Sequence, residues 1–141
     1  MGKINLGRVI LGGIVAGAIV DVFEYFLNAK LLAEQWSALM AAQKLPMFGT
    51  NEIVAFNVVG LAIGLIAVWT YAAIRPRFGA GPKTAVYAAL LTWVTAYVLM
   101  DLSPLISGIF PRTLALTLIG VGLVEIVVAT VAGAYFYKEA A

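Results

Sequence analysis

The stretch NLGRVILGGIVAGAIVDVFEYFL, residues 5–27, is apolar enough to cross a membrane yet contains two carboxylates, Asp21 and Glu24. At about 1.5 Å of rise per residue, a helix of this length crosses a hydrocarbon layer roughly 30 Å thick. Lys3 and Arg8 before an apolar run also resemble a secretory signal, but this run is longer than such signals require. We therefore predict a retained first membrane-spanning helix.

The rest of the chain has the same character. Of its 141 residues, 63% are hydrophobic and only 11% are charged, whereas the surface of a soluble domain needs far more charge. Further apolar stretches of spanning length cover residues 52–74, 84–101 and 113–137. We predict an all-α polytopic membrane protein, a single domain in which four transmembrane helices form a tight bundle.

Small residues recur four apart in every predicted span. In lipid, helices associate through close backbone approach and van der Waals contact, which small side chains permit. We expect these positions to lie where helices pack, within the bundle or between copies of the chain. They are Gly13, Gly17, Gly60, Gly64, Ala88, Thr92, Ala96, Ala129 and Gly133.

The distribution of basic residues predicts the orientation. Four spans place both termini on one side, and that side holds six of the nine Lys and Arg residues. Because basic residues concentrate in cytoplasmic segments, we predict that both termini are cytoplasmic. The six are Lys3, Arg8, Arg75, Arg77, Lys83 and Lys138, and the three on the other side are Lys30, Lys44 and Arg112.

Two outer connections are unusual. Residues 28–51 are too many for a simple turn, and they include apolar residues at helical spacing opposite a polar face. This pattern fits either an amphipathic helix at the membrane interface or an extension of the first span. Residues 101–112 are very apolar for a loop, so we expect them to pack into the interface or dip back against protein. The apolar face of the first connection contains Leu32, Trp36, Leu39 and Met40, and its polar face contains Lys30, Glu34 and Ser37.

The polar residues of the spans gather in the outer half of the membrane. Helical rise puts Asp21 about 22 Å along the first span and Glu125 about 18 Å along the fourth, close to the midplane. Asn57 lies about 9 Å inward on the second span. A charge at the bilayer centre costs about 2.5–3.5 kcal/mol, so each of these residues needs an explanation.

Three interpretations are open for these acids. Asp21, Glu24 and Glu125, with Asn57 as a neutral ligand, would form a proton or cation site reached from outside. Alternatively, Glu125 is neutral and joins helices by a hydrogen bond to Asn57 or to a backbone carbonyl. Asp21 and Glu24 could also simply be wetted by water among the lipid headgroups. As the deepest acid, with no basic residue on its own span, Glu125 is the one we expect to hold a proton.

The composition excludes several chemistries. The chain has no Cys and no His, which excludes disulfides, thiol chemistry, Cys/His zinc sites and His-ligated haem. A net charge of +2 is too small and scattered for nucleic-acid binding. No nucleophile–base pair or metal-ligand set is apparent, so we expect no enzymatic activity, no cofactor and no bound metal.

Three stretches give the chain a resemblance to a known group. They are GRVILGGIVAG (7–17), YAAIRPRFGAGPKTA (71–85) and GLVEIVVATVAGAYFYKE (122–139). With them the chain resembles small bacterial four-helix integral membrane proteins described only as uncharacterised. This resemblance implies four spans and a multi-pass location in the bacterial inner membrane, and it implies no ligand residues.

The sequence supports two functional hypotheses. The first is a small non-enzymatic membrane protein, oligomeric in the bilayer, whose acidic cavity binds or conducts a proton, a cation or a small cationic solute. The second is a structural or accessory subunit that packs against a larger membrane complex through its small-residue helix faces. Its partners are then the lipid bilayer and either further copies of the chain or another membrane protein.

Overall fold

A computed structural model describes residues 3–140, which are helical over most of their length and contain no strand. Two segments are π-helical: Leu27–Leu31 continues the first helix, and Val94–Val98 joins the fourth helix to the fifth. The α-helices are α1 (Leu6–Phe26), α2 (Ala33–Ala42), α3 (Thr50–Phe78), α4 (Pro82–Trp93), α5 (Leu99–Ile106) and α6 (Arg112–Tyr135).

Four continuous helical stretches are long and apolar enough to cross a membrane. This confirms the prediction of an all-α chain with four apolar helices of spanning length. The stretches are Leu6–Leu31, Thr50–Phe78, Pro82–Ile106 and Arg112–Tyr135.

Two of these helices end later than predicted, because each continues through a proline. Pro76 lies in the last turns of α3, and the helix continues to Phe78, after which Gly79 ends it with a left-handed φ of 87°. Pro104 lies within α5, and its carbonyl oxygen accepts hydrogen bonds from the amides of Ile109 and Phe110 beyond the helix end. The second outer connection is therefore only residues 107–111. Residues 101–106, which we expected to be a loop packed against the membrane interface or the protein, are helical instead.

Glycines lie at the crossing of α1 and α3. A Cβ added to Gly17 would lie 2.6 Å from the Cα of Leu61, and one added to Gly13 would lie 2.7 Å from the Cα of Leu65. A Cβ on Gly64 would lie 2.5 Å from the Cα of Gly17. Only glycine permits this approach, because the opposing atoms belong to backbone.

The helix α6 packs against α1 and α4 through small residues. A Cβ on Gly12 or on Gly133 would overlap the carbonyl oxygen of the other residue. Ala129 is fully buried on α6, as is Ala88 on α4. The indole nitrogen of Trp93 also ties α4 to α6, because it donates to a backbone carbonyl 2.8 Å away. The core between α1, α3, α4 and α6 is thus filled mainly by short apolar side chains.

Both described ends of the chain lie at one end of the molecule, which we call the terminal end. The backbone amide of Asn5 donates to the Tyr137 hydroxyl over 3.4 Å, and the amide of Ala140 donates to the carbonyl of Lys3 over 3.3 Å. Arg75 forms an ion pair of 3.4 Å with Glu139 nearby. The opposite end carries α2, and we call it the α2 end.

The helix α2 is separate from α1. The backbone bends at Leu32, with φ −103° and ψ 8°, so α2 is not a straight extension of the first span. Its predicted apolar face points into protein: Leu32, Leu39 and Met40 are buried and Trp36 is half-buried. This face contributes to a second apolar cluster, made of Leu27, Leu32, Leu39 and Leu114 with Trp36, Phe110, Leu118 and Val121 against it.

Candidate acidic site near the α2 end

Glu125 lies on α6 with none of its surface exposed. The hydroxyl of Tyr97, in the second π-helical segment, donates a hydrogen bond to its Oε1. Gly122, one turn earlier on α6, makes room for this tyrosine, since a Cβ there would lie 2.8 Å from a carbon of the ring. The other oxygen of Glu125, Oε2, is buried and receives no hydrogen bond.

Glu24 brings a second carboxyl group to Glu125. It is half-buried on α1, and its side chain lies within hydrogen-bonding reach of the Glu125 carboxyl. Two ionised carboxylates are both acceptors and cannot bond to each other. The contact is therefore complete only when a proton or another positive charge lies between them.

Asn28 holds Glu24 from the other side. Its side-chain amide donates to the Glu24 carboxyl and, over 3.1 Å, to the Glu24 backbone carbonyl. The amide oxygen of Asn28 accepts a hydrogen bond of 2.8 Å from the indole nitrogen of Trp36 on α2. Polar contacts thus run without interruption from Trp36 through Asn28 and Glu24 to Glu125.

Both residues that donate directly to the acids lie in π-helical segments. Asn28 belongs to Leu27–Leu31, and Tyr97 belongs to Val94–Val98. A π turn inserts an extra residue into the helical ladder, and such turns are rare and frequent at functional sites. Here each π turn presents one polar side chain to the same pair of acids.

Two further acids surround the pair. Asp21 on α1 and Asp101 on α5 are both half-buried, and both lie near Glu24. The Asp21 carboxyl fills the space beside Gly60, where any Cβ would collide with it. Within residues 3–140 the one ion pair is that at the terminal end, so no Lys or Arg offsets these acids.

Asn57 is not part of this cluster. It is exposed on α3 and donates to the carbonyl of Ile53 on its own helix over 2.8 Å. The residues from Asn51 to Val59 are all exposed, and the buried residues of α3 begin only at Gly60. The amide that contacts the acids belongs instead to Asn28.

The structure therefore brings together Glu24 and Glu125, places Asp21 beside them and leaves Asn57 apart. Sequence reasoning missed Asn28, Tyr97 and the role of Trp36. The available signal for Asn28 was its position four residues after Glu24, where helical neighbours meet.

The arrangement suits some ligands better than others. In the part of the chain that the structure describes, no three acidic side chains are grouped so that they could hold a metal ion. Divalent cations such as calcium take six to eight oxygen ligands, more than the four carboxyl oxygens of Glu24 and Glu125.

Comparisons with protein-family models, with curated proteins and with solved structures gave no match to this chain.

Proposed function

We propose that this chain is an integral membrane protein whose four apolar helices cross the bilayer as one bundle, with both termini in the cytoplasm. The support is the excess of basic residues at the terminal end, six against three at the α2 end. The resemblance to small bacterial membrane proteins favours the inner membrane as its location. The acidic site then opens toward the outer side, near α2.

We propose that the function of this protein is to bind a proton or a small cation at the pair formed by Glu24 and Glu125. The observation that carries this proposal is the Oε2 atom of Glu125, which is buried and has no donor, on a side chain within hydrogen-bonding reach of the Glu24 carboxyl. A buried acceptor without a partner costs about 1–3 kcal/mol, and an unpaired buried charge costs more. A bound positive charge removes this cost for both acids at once.

A binding or transport role fits the site better than an enzymatic one. Its side chains are carboxyl groups, a phenol and an amide, which hold protons and cations but supply no nucleophile with an adjacent base. The surrounding core of short apolar side chains excludes water from the deep side of the pair. Exchange with solution would therefore occur at the α2 end.

The direct test compares the wild-type protein with Glu125→Gln in nanodiscs and liposomes. Addition of sodium, potassium or tetramethylammonium to weakly buffered wild-type protein should release protons, and proteoliposomes should show pH-dependent flux if the site conducts. Glu125→Gln preserves the size of the side chain and should abolish both signals without affecting insertion. Glu34→Gln, on the exposed face of α2, is the matched control. Equal behaviour of the two variants would count against the proposal.

A second candidate function is an accessory subunit or oligomer-forming protein. The glycine faces of α1 and α3 are occupied by contacts within the chain, so a partner would need another surface. The first part of α3 favours this candidate, because its apolar residues Ile53, Val54, Phe56, Val58 and Val59 are all more than half exposed. Since the chain lacks Cys, a single Val58→Cys variant would form a disulfide-linked dimer in membranes if copies associate there.

A further inference from the structure

We propose that the proton held by Glu24 and Glu125 controls the docking of α2, so that α2 is a pH-dependent cover over the site. This inference depends on the proposed function, because it requires that the acid pair bind a proton. It assigns a regulatory role to α2. The contacts that carry this role run from Trp36 through Asn28 and Glu24 to Glu125.

The first step concerns the charge of the pair. With one shared proton, the two carboxyl groups attract each other through a hydrogen bond. Without it, two like charges lie in contact, and the charged or titratable groups that face them are Asp21 on α1, Tyr97 in the second π-helical segment and Asp101 on α5. None of these supplies a positive charge. The amine of Lys30, in the first π-helical segment, lies 5.7 Å from the centre of the Tyr25 ring instead. Loss of the proton therefore drives Glu24 away from Glu125.

The second step is transmission through Asn28. Its amide group bonds to Glu24 with its nitrogen and to Trp36 with its oxygen, so a displaced Glu24 cannot keep both bonds unless Asn28 also turns. The backbone around Asn28 is π-helical and ends at the bend of Leu32. This segment is the connection between α1 and α2, and it is the natural place for a change in their relative position.

The third step is the weak attachment of α2. Trp36 and Leu39 of α2, together with Leu32 just before it, make most of its apolar contacts with the rest of the protein. The centre of the Trp36 ring lies 5.6 Å from that of Phe110 and 5.8 Å from that of Phe48. The hydrogen bond from Trp36 to Asn28 is the polar contact that α2 makes with the acid site. Its loss removes the directional link that fixes α2 in this position.

Cysteine labelling measures the docking of α2 directly. In the Cys-free chain, Leu39→Cys places a thiol on the buried face of α2, and Ser37→Cys places one on the exposed face of the same helix. The ratio of their labelling rates with a water-soluble maleimide cancels the intrinsic pH dependence of the thiol. We expect this ratio to rise with pH as α2 is released, and to stay low at every pH when Glu125→Gln is added, because the glutamine amide donates to Glu24 permanently.

Two further measurements separate the possible outcomes. Infrared spectra of the same samples follow the protonated carboxyl band of the pair. In Asn28→Ala this band should still change with pH, but the labelling ratio should no longer change with it. Asn57→Ala, which removes an exposed amide that bonds to its own helix, should behave like the wild type. If the band titrates while the labelling ratio stays constant, the docking inference is wrong and the proton site stands. If the carboxyl band of the pair does not change between acidic and alkaline pH, a proton is not exchanged there and both proposals fail.

Discussion

Replacement of Gly64 by alanine should separate α1 from α3 and destabilise the protein. The added methyl carbon would lie 2.5 Å from the Cα of Gly17 and 2.6 Å from the carbonyl oxygen of Gly13. Carbon atoms prefer separations of about 3.5–4.0 Å, so the helices must part by roughly 1 Å, which forfeits a quarter to a half of each affected contact. Neither opposing atom belongs to a flexible side chain, so the strain cannot be relieved locally.

We expect a loss of about 3 kcal/mol in the free energy of unfolding, the upper part of the range measured for overpacked cores. Gly120 on α6 is the matched control, because nothing lies within 4 Å of the Cβ it would gain. Its replacement by alanine should be neutral or stabilise the helix by up to about 1 kcal/mol. Unfolding in mixed detergent micelles with increasing dodecyl sulfate, followed by circular dichroism, gives both values. Equal stability of the two variants would mean that α1 and α3 do not approach as closely as described.

Three further outcomes follow from the same contacts. Tyr97→Phe keeps the ring beside Gly122 but removes the donor to Glu125, so we expect a loss of about 1–3 kcal/mol in the same unfolding assay, and no loss would remove the tyrosine from the site. Asn28→Ala should weaken cation-induced proton release whereas Asn57→Ala should not, and similar behaviour of the two would contradict the assignment of the amide to Asn28. Arg75→Gln breaks a partly exposed ion pair at the terminal end and should cost no more than about 1 kcal/mol, with proton release unaltered; a change in proton release would show that the two ends are coupled.

The helices were predictable because their signal is local. Each apolar stretch is long enough to identify a spanning helix without knowledge of its neighbours. The small residues at Gly13, Gly17 and Gly64 were informative for a related reason, since a fixed spacing places them on one face of one helix. The bounds were less accurate at Pro76 and Pro104, where helices continue through residues that usually end them.

The acid site was predictable only in part. Helical rise placed Asp21, Glu24 and Glu125 between the midplane and the outer face, but it does not determine which faces of two helices meet. Asn28 and Tyr97 lie in π turns, which change the direction of side chains relative to a regular helix and leave no clear pattern in the sequence. Asn57 has a suitable side chain at a suitable predicted depth, but it is exposed on α3 and bonds to its own helix instead.

The contact between the two acid side chains is the claim on which the functional account depends, and carboxyl carbons report it directly. Solid-state NMR of protein labelled with ¹³C at the glutamate side-chain carboxyl would record carbon–carbon correlations in lipid bilayers. We predict a cross-peak between Glu24 and Glu125 that disappears in Glu125→Gln. A spectrum in which the two carboxyl resonances are assigned and show no correlation would contradict it.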